Sequence, residues 1–238
     1  SSLIHFTANT KNDKTEYFIN KIIKNRKNYL DNFSVIGYQQ YLNNEKDVDI
    51  MKKLFFNPVR LGQARMDLLD IEPTIRDSDI FAIDISSIRQ SDAPAQKDPS
   101  PSGFFGEEVC QLSKYAGLSE KCKIFGLFNL YPAIDFQGIS SNLSAQIVWY
   151  FLNGFYNRKI EHPENINKNN FLKFTVQLEE VVRGITFYKN IITEKWWMET
   201  PSDTNNNINV IACNYKDYNN AKNGIIPERW WSAQKKMN

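Results

Sequence analysis

Three short runs of β-forming residues, Phe33 to Tyr38, Asp79 to Ile85 and Lys123 to Phe128, are separated by segments whose apolar residues recur at helical spacing. Strands that alternate with helices pair in parallel when each helix covers a sheet face on its way back, since a parallel connection is too long for a hairpin. The alternation predicts an α/β fold with a mainly parallel sheet. Between the first two runs, Asn44 is placed to cap a helix whose apolar face is Val48, Met51, Leu54 and Phe55. Glu107 to Ala116 predicts a second helix closed by Gly117. Leu143, Ile147, Phe151 and Phe155, widened by Val148 and Leu152, predict a third helix packed on the sheet with its aromatics in the core.

After Pro163 the pattern changes to a meander. Phe174 to Leu178, Ile185 to Tyr188 and Lys195 to Glu199 each read as a short strand. The Asn-rich stretch from Asp203 to Asn209 reads as a loop, and the tail from Tyr215 to Trp231 as a short helix, the turn pair Asn223-Gly224 and an aromatic end. The expected division is an α/β domain over residues 1–163 and an antiparallel β appendage with a Trp-rich tail over 164–238.

Composition removes several function classes. Hydrophobic residues at 42% and charged ones at 24% are ordinary for a globular chain, too apolar for a disordered one. The 29 basic and 27 acidic side chains are scattered without a long run of one sign, so nucleic-acid binding is not expected. No apolar run approaches the roughly 18 residues needed to cross a bilayer, and membrane insertion is not expected. The start of the chain lacks a charged-then-apolar secretory pattern. Three cysteines, Cys110, Cys122 and Cys213, form no CxxC pair and cannot all be bridged, which points to a reducing compartment; a cytoplasmic location is expected. Two histidines, His5 and His162, exclude a site built from several imidazoles of this chain, and His162 beside Pro163 reads as a surface residue. Glycine-rich phosphate loops and a GxSxG elbow are absent.

The remaining chemistry lies with carboxylates: Asp84 at the end of the second strand, Asp92 in the loop that follows, and Glu107 and Glu108 at a helix start, where the macrodipole favours acidic residues whatever their function. Trp196, Trp197, Trp230 and Trp231 read as an aromatic face for a protein partner, against burial on the chain's own sheet.

Several blocks carry a resemblance. Ile83-Asp84-Ile85-Ser86-Ser87-Ile88-Arg89-Gln90-Ser91-Asp92-Ala93-Pro94 is followed by Pro101-Ser102-Gly103-Phe104-Phe105-Gly106-Glu107-Glu108, Lys114-Tyr115-Ala116-Gly117-Leu118, the stretch Ile147 to Lys159, Lys195-Trp196-Trp197-Met198-Glu199 and Ile226-Pro227-Glu228-Arg229-Trp230-Trp231. Together they are similar to the formimidoylglutamase-like branch of the arginase (ureohydrolase) family, in its Bacteroidetes form, from about Ile36 onward. The resemblance implies a three-layer α/β/α fold, two manganese ions at the strand ends, and a bridging hydroxide that attacks a guanidinium or formimino carbon. It implies three ligand motifs. The first would precede residue 1, so the N-terminal part of the family fold is expected to be missing from this chain, with preceding residues or another chain supplying strands that would otherwise leave a bare sheet edge. The second, AspxHisxAsp, matches Leu3-Ile4-His5-Phe6-Thr7, keeping His5 alone. The third places its first aspartate at Asp84, its second at Ser86, its loop proline at Pro94, its glycine pair at Ser102-Gly103 and its glutamate at Glu108. Asn129 stands where the family has an acidic residue that contacts substrate.

His5 and Asp84 are thus the remnant metal ligands, whereas two adjacent dications need about six donors, several of them anionic. The expectation is an arginase-fold protein with a degenerate metal site and no cofactor, acting as a binding or scaffold protein, with a protein partner or a homo-oligomer. The alternative is an active manganese-dependent hydrolase of carbon–nitrogen bonds completed by residues outside the chain. A third reading is a sensor of a cationic metabolite that uses Asp84, Asp92 and Glu108 as countercharges.

Overall fold

The structure, a computed structural model, describes residues 30, 32–163, 170–179, 181–201 and 209–237. The described residues form two compact units, one running up to residue 68 and including 82–111 and 126–148, the other made of 69–81, 112–125 and the residues from 149 onward.

In the first unit, Ser34–Tyr38 (β1) and Asn57–Arg60 (β2) pair in parallel, with Ile36 opposite Val59. Glu45–Lys53 (α1) makes the crossover; Asn44 caps it by accepting from the Lys46 amide at 3.0 Å, and acidic and basic residues occupy the ends that the macrodipole favours. Val48 and Met51 bury against Tyr38 as the spacing predicts. Leu54 and Phe55 do not extend that face: the helix has ended, the Phe56 amide closes it on Met51 O at 2.9 Å, and Phe55 turns through a left-handed φ of 55° to feed β2. Leu61–Met66 (α2) follows directly.

Ile80–Asp84 (β3) and Ile124–Phe128 (β4) are hydrogen-bonded neighbours. Gly106–Leu118 (α4) and Ile139–Tyr156 (α5) follow them. Gly117 lies inside α4 and does not close it. A Cβ there would meet Phe151 O at 2.1 Å and one on Gly154 would meet Lys114 O at 2.5 Å, so the two glycines are where α4 and α5 touch backbone to backbone. On α5, Leu143 and Ile147 are buried and Phe151 stacks on Phe125 at 4.2 Å, but Val148, Leu152 and Phe155 are exposed, so only part of the expected stripe is core.

The second unit contains Glu72–Arg76 (α3) and a four-stranded antiparallel meander, β5 (Phe171–Leu178), β6 (Val181–Asn190), β7 (Trp196–Thr200) and β8 (Asn209–Cys213), followed by α6 (Tyr215–Lys222) and α7 (Glu228–Met237). Asn209 opens β8 instead of ending the expected Asn-rich loop, and residues 202–208 of that loop lie outside the described ones. The aromatic face expected of Trp196, Trp197, Trp230 and Trp231 is largely core. Trp196 stacks on Tyr218 at 5.0 Å in a cluster that includes Phe187, Met198 and Trp230. Its neighbour Trp197 points to the opposite sheet face, under the Arg76 guanidinium at 4.4 Å. Adjacent strand residues are both buried here because elements cover both faces of the sheet; Trp231 is exposed. The three cysteines are buried and unbridged. Among the described residues no helix is long and apolar enough to cross a membrane.

Candidate functional site

β3 delivers Asp84 at its end, where an apolar strand passes into a polar loop, and the 3-10 turn Ile85–Ser87 starts there. Asp84 caps that turn: its Oδ1 accepts from the Ser86 amide at 2.8 Å, and its carbonyl accepts from Ser87 Oγ at 2.7 Å. At the end of β4, Asn129 takes a left-handed φ of 62°, a conformation asparagine tolerates better than most residues, and its Nδ2 donates to Asp84 Oδ2 at 2.9 Å. Asp84, Ser86 and Asn129 therefore form one cluster in which each carboxylate oxygen has a donor. His5, Leu3 and Thr7 lie outside the described residues.

The loop after Asp84 is tied down along its length. The Phe104 amide donates to Ser87 O at 2.9 Å and the Arg89 amide to Phe104 O at 3.1 Å, pairing the two ends of the loop. Gly103 is required at that seam, since a Cβ would come within 2.4 Å of the Arg89 nitrogen. Gln96, fully buried, donates to Ile88 O at 2.8 Å and Ala93 O at 2.7 Å, while the Ala95 amide donates to Ser140 Oγ at 2.8 Å. Such anchoring presents a fixed surface and leaves few backbone groups for a ligand to recruit.

The other carboxylates are also engaged. Asp92 Oδ2 accepts from the Gly106 amide at 2.9 Å, satisfying the start of α4, and its Oδ1 takes Arg89 Nε at 2.8 Å and Ser91 Oγ at 2.9 Å. Burial raises its pKa, but those hydrogen bonds and the arginine charge lower it further, and the carboxyl ends below its ordinary range. Glu108 accepts from the Phe105 amide at 2.8 Å on one oxygen and from Arg65 Nε at 3.0 Å on the other. Glu107 is exposed in the first turn, as the macrodipole alone would place it.

The fit of this set to a pair of divalent cations can be tested on donor chemistry. Around Asp84 the described partners are a backbone amide, a serine and an asparagine, so one anion is present where two adjacent dications require several. Among the described residues no three His, Cys, Asp or Glu side chains gather closely enough to hold a metal ion. These residues do not fit the dinuclear site.

A second feature had no signal in the sequence. Beside the ends of β1 and β2 lies an open cleft of about 640 Å³ lined by Tyr38, Gln39, Tyr41, Arg60, Arg65, Arg89, Ser102 and Phe105 among others. Its lining includes three arginines and no acidic side chain. Arg65 and Arg89 both lie over the Phe105 ring, 3.8 and 4.0 Å from its centroid. The three arginines are separated by 5 and 24 positions in the chain, so only the fold brings them together.

No family model matches the chain, and no curated protein matches it in sequence. Solved structures do match. The crystal structure of Trypanosoma cruzi formiminoglutamase with Mn2+ superposes at a TM-score of 0.50 with 17% identity, covering 53% of this chain and 44% of that one. An arginase superfamily protein from Trypanosoma cruzi gives a TM-score of 0.50 with 17% identity and the same coverage, 53% and 44%. The chain thus spans less than half the length of these structures. Over the matched half, the mixed α/β chain described above has an arginase-like fold.

Proposed function

We propose that this chain is a formimidoylglutamase-like protein on an arginase-like fold that has exchanged metal-dependent hydrolysis for binding or scaffolding. The observation that carries the reading is the state of Asp84: both of its oxygens accept hydrogen bonds from Ser86 and Asn129, the residues that replace acidic ones in the resembling family. An amide that donates to a carboxylate satisfies it without any cation, so the hydrogen bonds from Ser86 and Asn129 suffice to hold Asp84 in place. Cytoplasmic residence accords with three unbridged cysteines. A protein partner or a second copy of the chain is part of the same reading; of the four tail tryptophans, exposed Trp231 is the one available to it.

The test is metal content. The purified full chain is loaded with manganese, dialysed, and analysed for bound ion, then incubated with formimino and guanidino substrates. The expected result is manganese far below one ion per chain and no release of formamide or urea. Stoichiometric manganese together with turnover would establish the active hydrolase instead.

A further inference from the structure

We propose that the arginine-lined cleft is a binding site for a small organic anion, gripped by its carboxylate or phosphate head. This goes beyond the reading above, because none of Asp84, Ser86 and Asn129 lines the cleft and the site holds whatever the strand-end cluster does.

Arg60 Nε donates to the Tyr38 hydroxyl at 3.2 Å, Arg65 Nε to Glu108 at 3.0 Å and Arg89 Nε to Asp92 at 2.8 Å. In all three the Nε is committed to an internal acceptor, and among the described residues the terminal Nη groups have none. A guanidinium anchored through Nε presents its two Nη groups as a parallel fork, the geometry that takes both oxygens of a carboxylate or phosphate. Anchoring also removes much of the side-chain freedom that a ligand would otherwise have to freeze.

Charge settles which fork matters most. Arg65 and Arg89 are compensated by Glu108 and Asp92, whereas Arg60 has no carboxylate partner among the described residues and is oriented by a phenol that is itself buried. The cleft therefore has a surplus of one positive charge centred on Arg60, with two further forks able to share a second oxyanion. Tyr41 and Met66, both largely exposed, give the ligand's carbon skeleton apolar surface. Gln39 Nε2 donates to Ser102 O at 3.0 Å across the rim and ties its two sides together. The volume falls within the range of about 300–1,000 Å³ typical of small-molecule sites, and the surplus charge is too small to track a polyanion such as nucleic acid.

Isothermal titration of the full chain with citrate and, separately, with inorganic phosphate tests this, with sodium chloride at matched ionic strength as the blank. Saturable binding of at least one of them is expected, and the tighter of the two identifies the head group as carboxylate or phosphate. Arg60→Gln should weaken that binding at least tenfold with an unchanged melting temperature, and Tyr38→Phe, which frees Arg60 without removing it, should weaken it several-fold. Heats indistinguishable from the blank, or full affinity retained in Arg60→Gln, overturn the proposal.

Discussion

Asp92 engages three donors with two oxygens and joins a loop to a helix that begins fourteen residues later. Replacing it with alanine strips the Gly106 amide of its acceptor and Arg89 of its counter-ion, and loss of a helix-capping carboxylate costs about 1–2 kcal/mol. The sign of the pH dependence follows from its depressed pKa: the stabilisation is fully present above the unfolded value of 3.8 and is lost as pH falls through the lower folded value. Asp92→Ala should therefore lower the urea midpoint at pH 7, and the gap from the parent should narrow as the titration is repeated below pH 3.8. Motif spacing singles out Asp84, Ser86, Glu108 and Asn129 in the sequence, and three of them, Asp84, Ser86 and Asn129, meet in one hydrogen-bonded cluster. Their use is not legible in the sequence. Asp84, Asp92 and Glu108 each accept a backbone amide, from Ser86, Gly106 and Phe105, and which amide a carboxylate meets depends on the loop's path through space.

At the scale of elements, spacing identified the strands and helices whose own residues determine them. β1, β3, β4 and α1 fall where apolar runs and the Asn44 cap predict, within a residue or two. β2 escaped because Asn57-Pro58-Val59-Arg60 is four residues long and contains a proline, which donates nothing to a ladder. β8 escaped because it follows an Asn-rich stretch and owes its strand character to its partner β7. Gly117 is the instructive case. Sequence rules make a glycine after a helical run a terminator, yet here the absent side chain serves a helix crossing with Gly154, a relation 37 positions distant. Gly117→Ala should cost about 1–3 kcal/mol, since neither backbone can retreat without moving its helix. Gly62→Ala, in α2 with open space around it, should instead stabilise by roughly 0.5–1 kcal/mol through helix propensity. Denaturant midpoints of the two variants should move in opposite directions; equal losses would remove the crossing from the explanation.

At the scale of the whole molecule, the two units raise the question of whether they unfold together. Along the sequence the pattern changes near residue 163, from helix–strand alternation to meander. β3, α4, β4 and α5 each begin in one unit and end in the other. Opening either unit alone would break four hydrogen-bonded elements in mid-course, so cooperative loss of both is the lower-energy route. The distribution of probes makes this measurable. All five tryptophans, Trp149, Trp196, Trp197, Trp230 and Trp231, belong to the second unit, so their emission reports that unit alone. Cys110 belongs to the first; it is buried, and burial together with the neighbouring Glu107 charge pushes its thiol up to about 11, so at pH 8 it should react only after the unit opens. In a urea titration, tryptophan emission and labelling of Cys110, read by peptide mass spectrometry, should share one midpoint. A labelling transition that precedes the fluorescence change would mean that the first unit opens independently and that continuity of backbone elements does not couple the two.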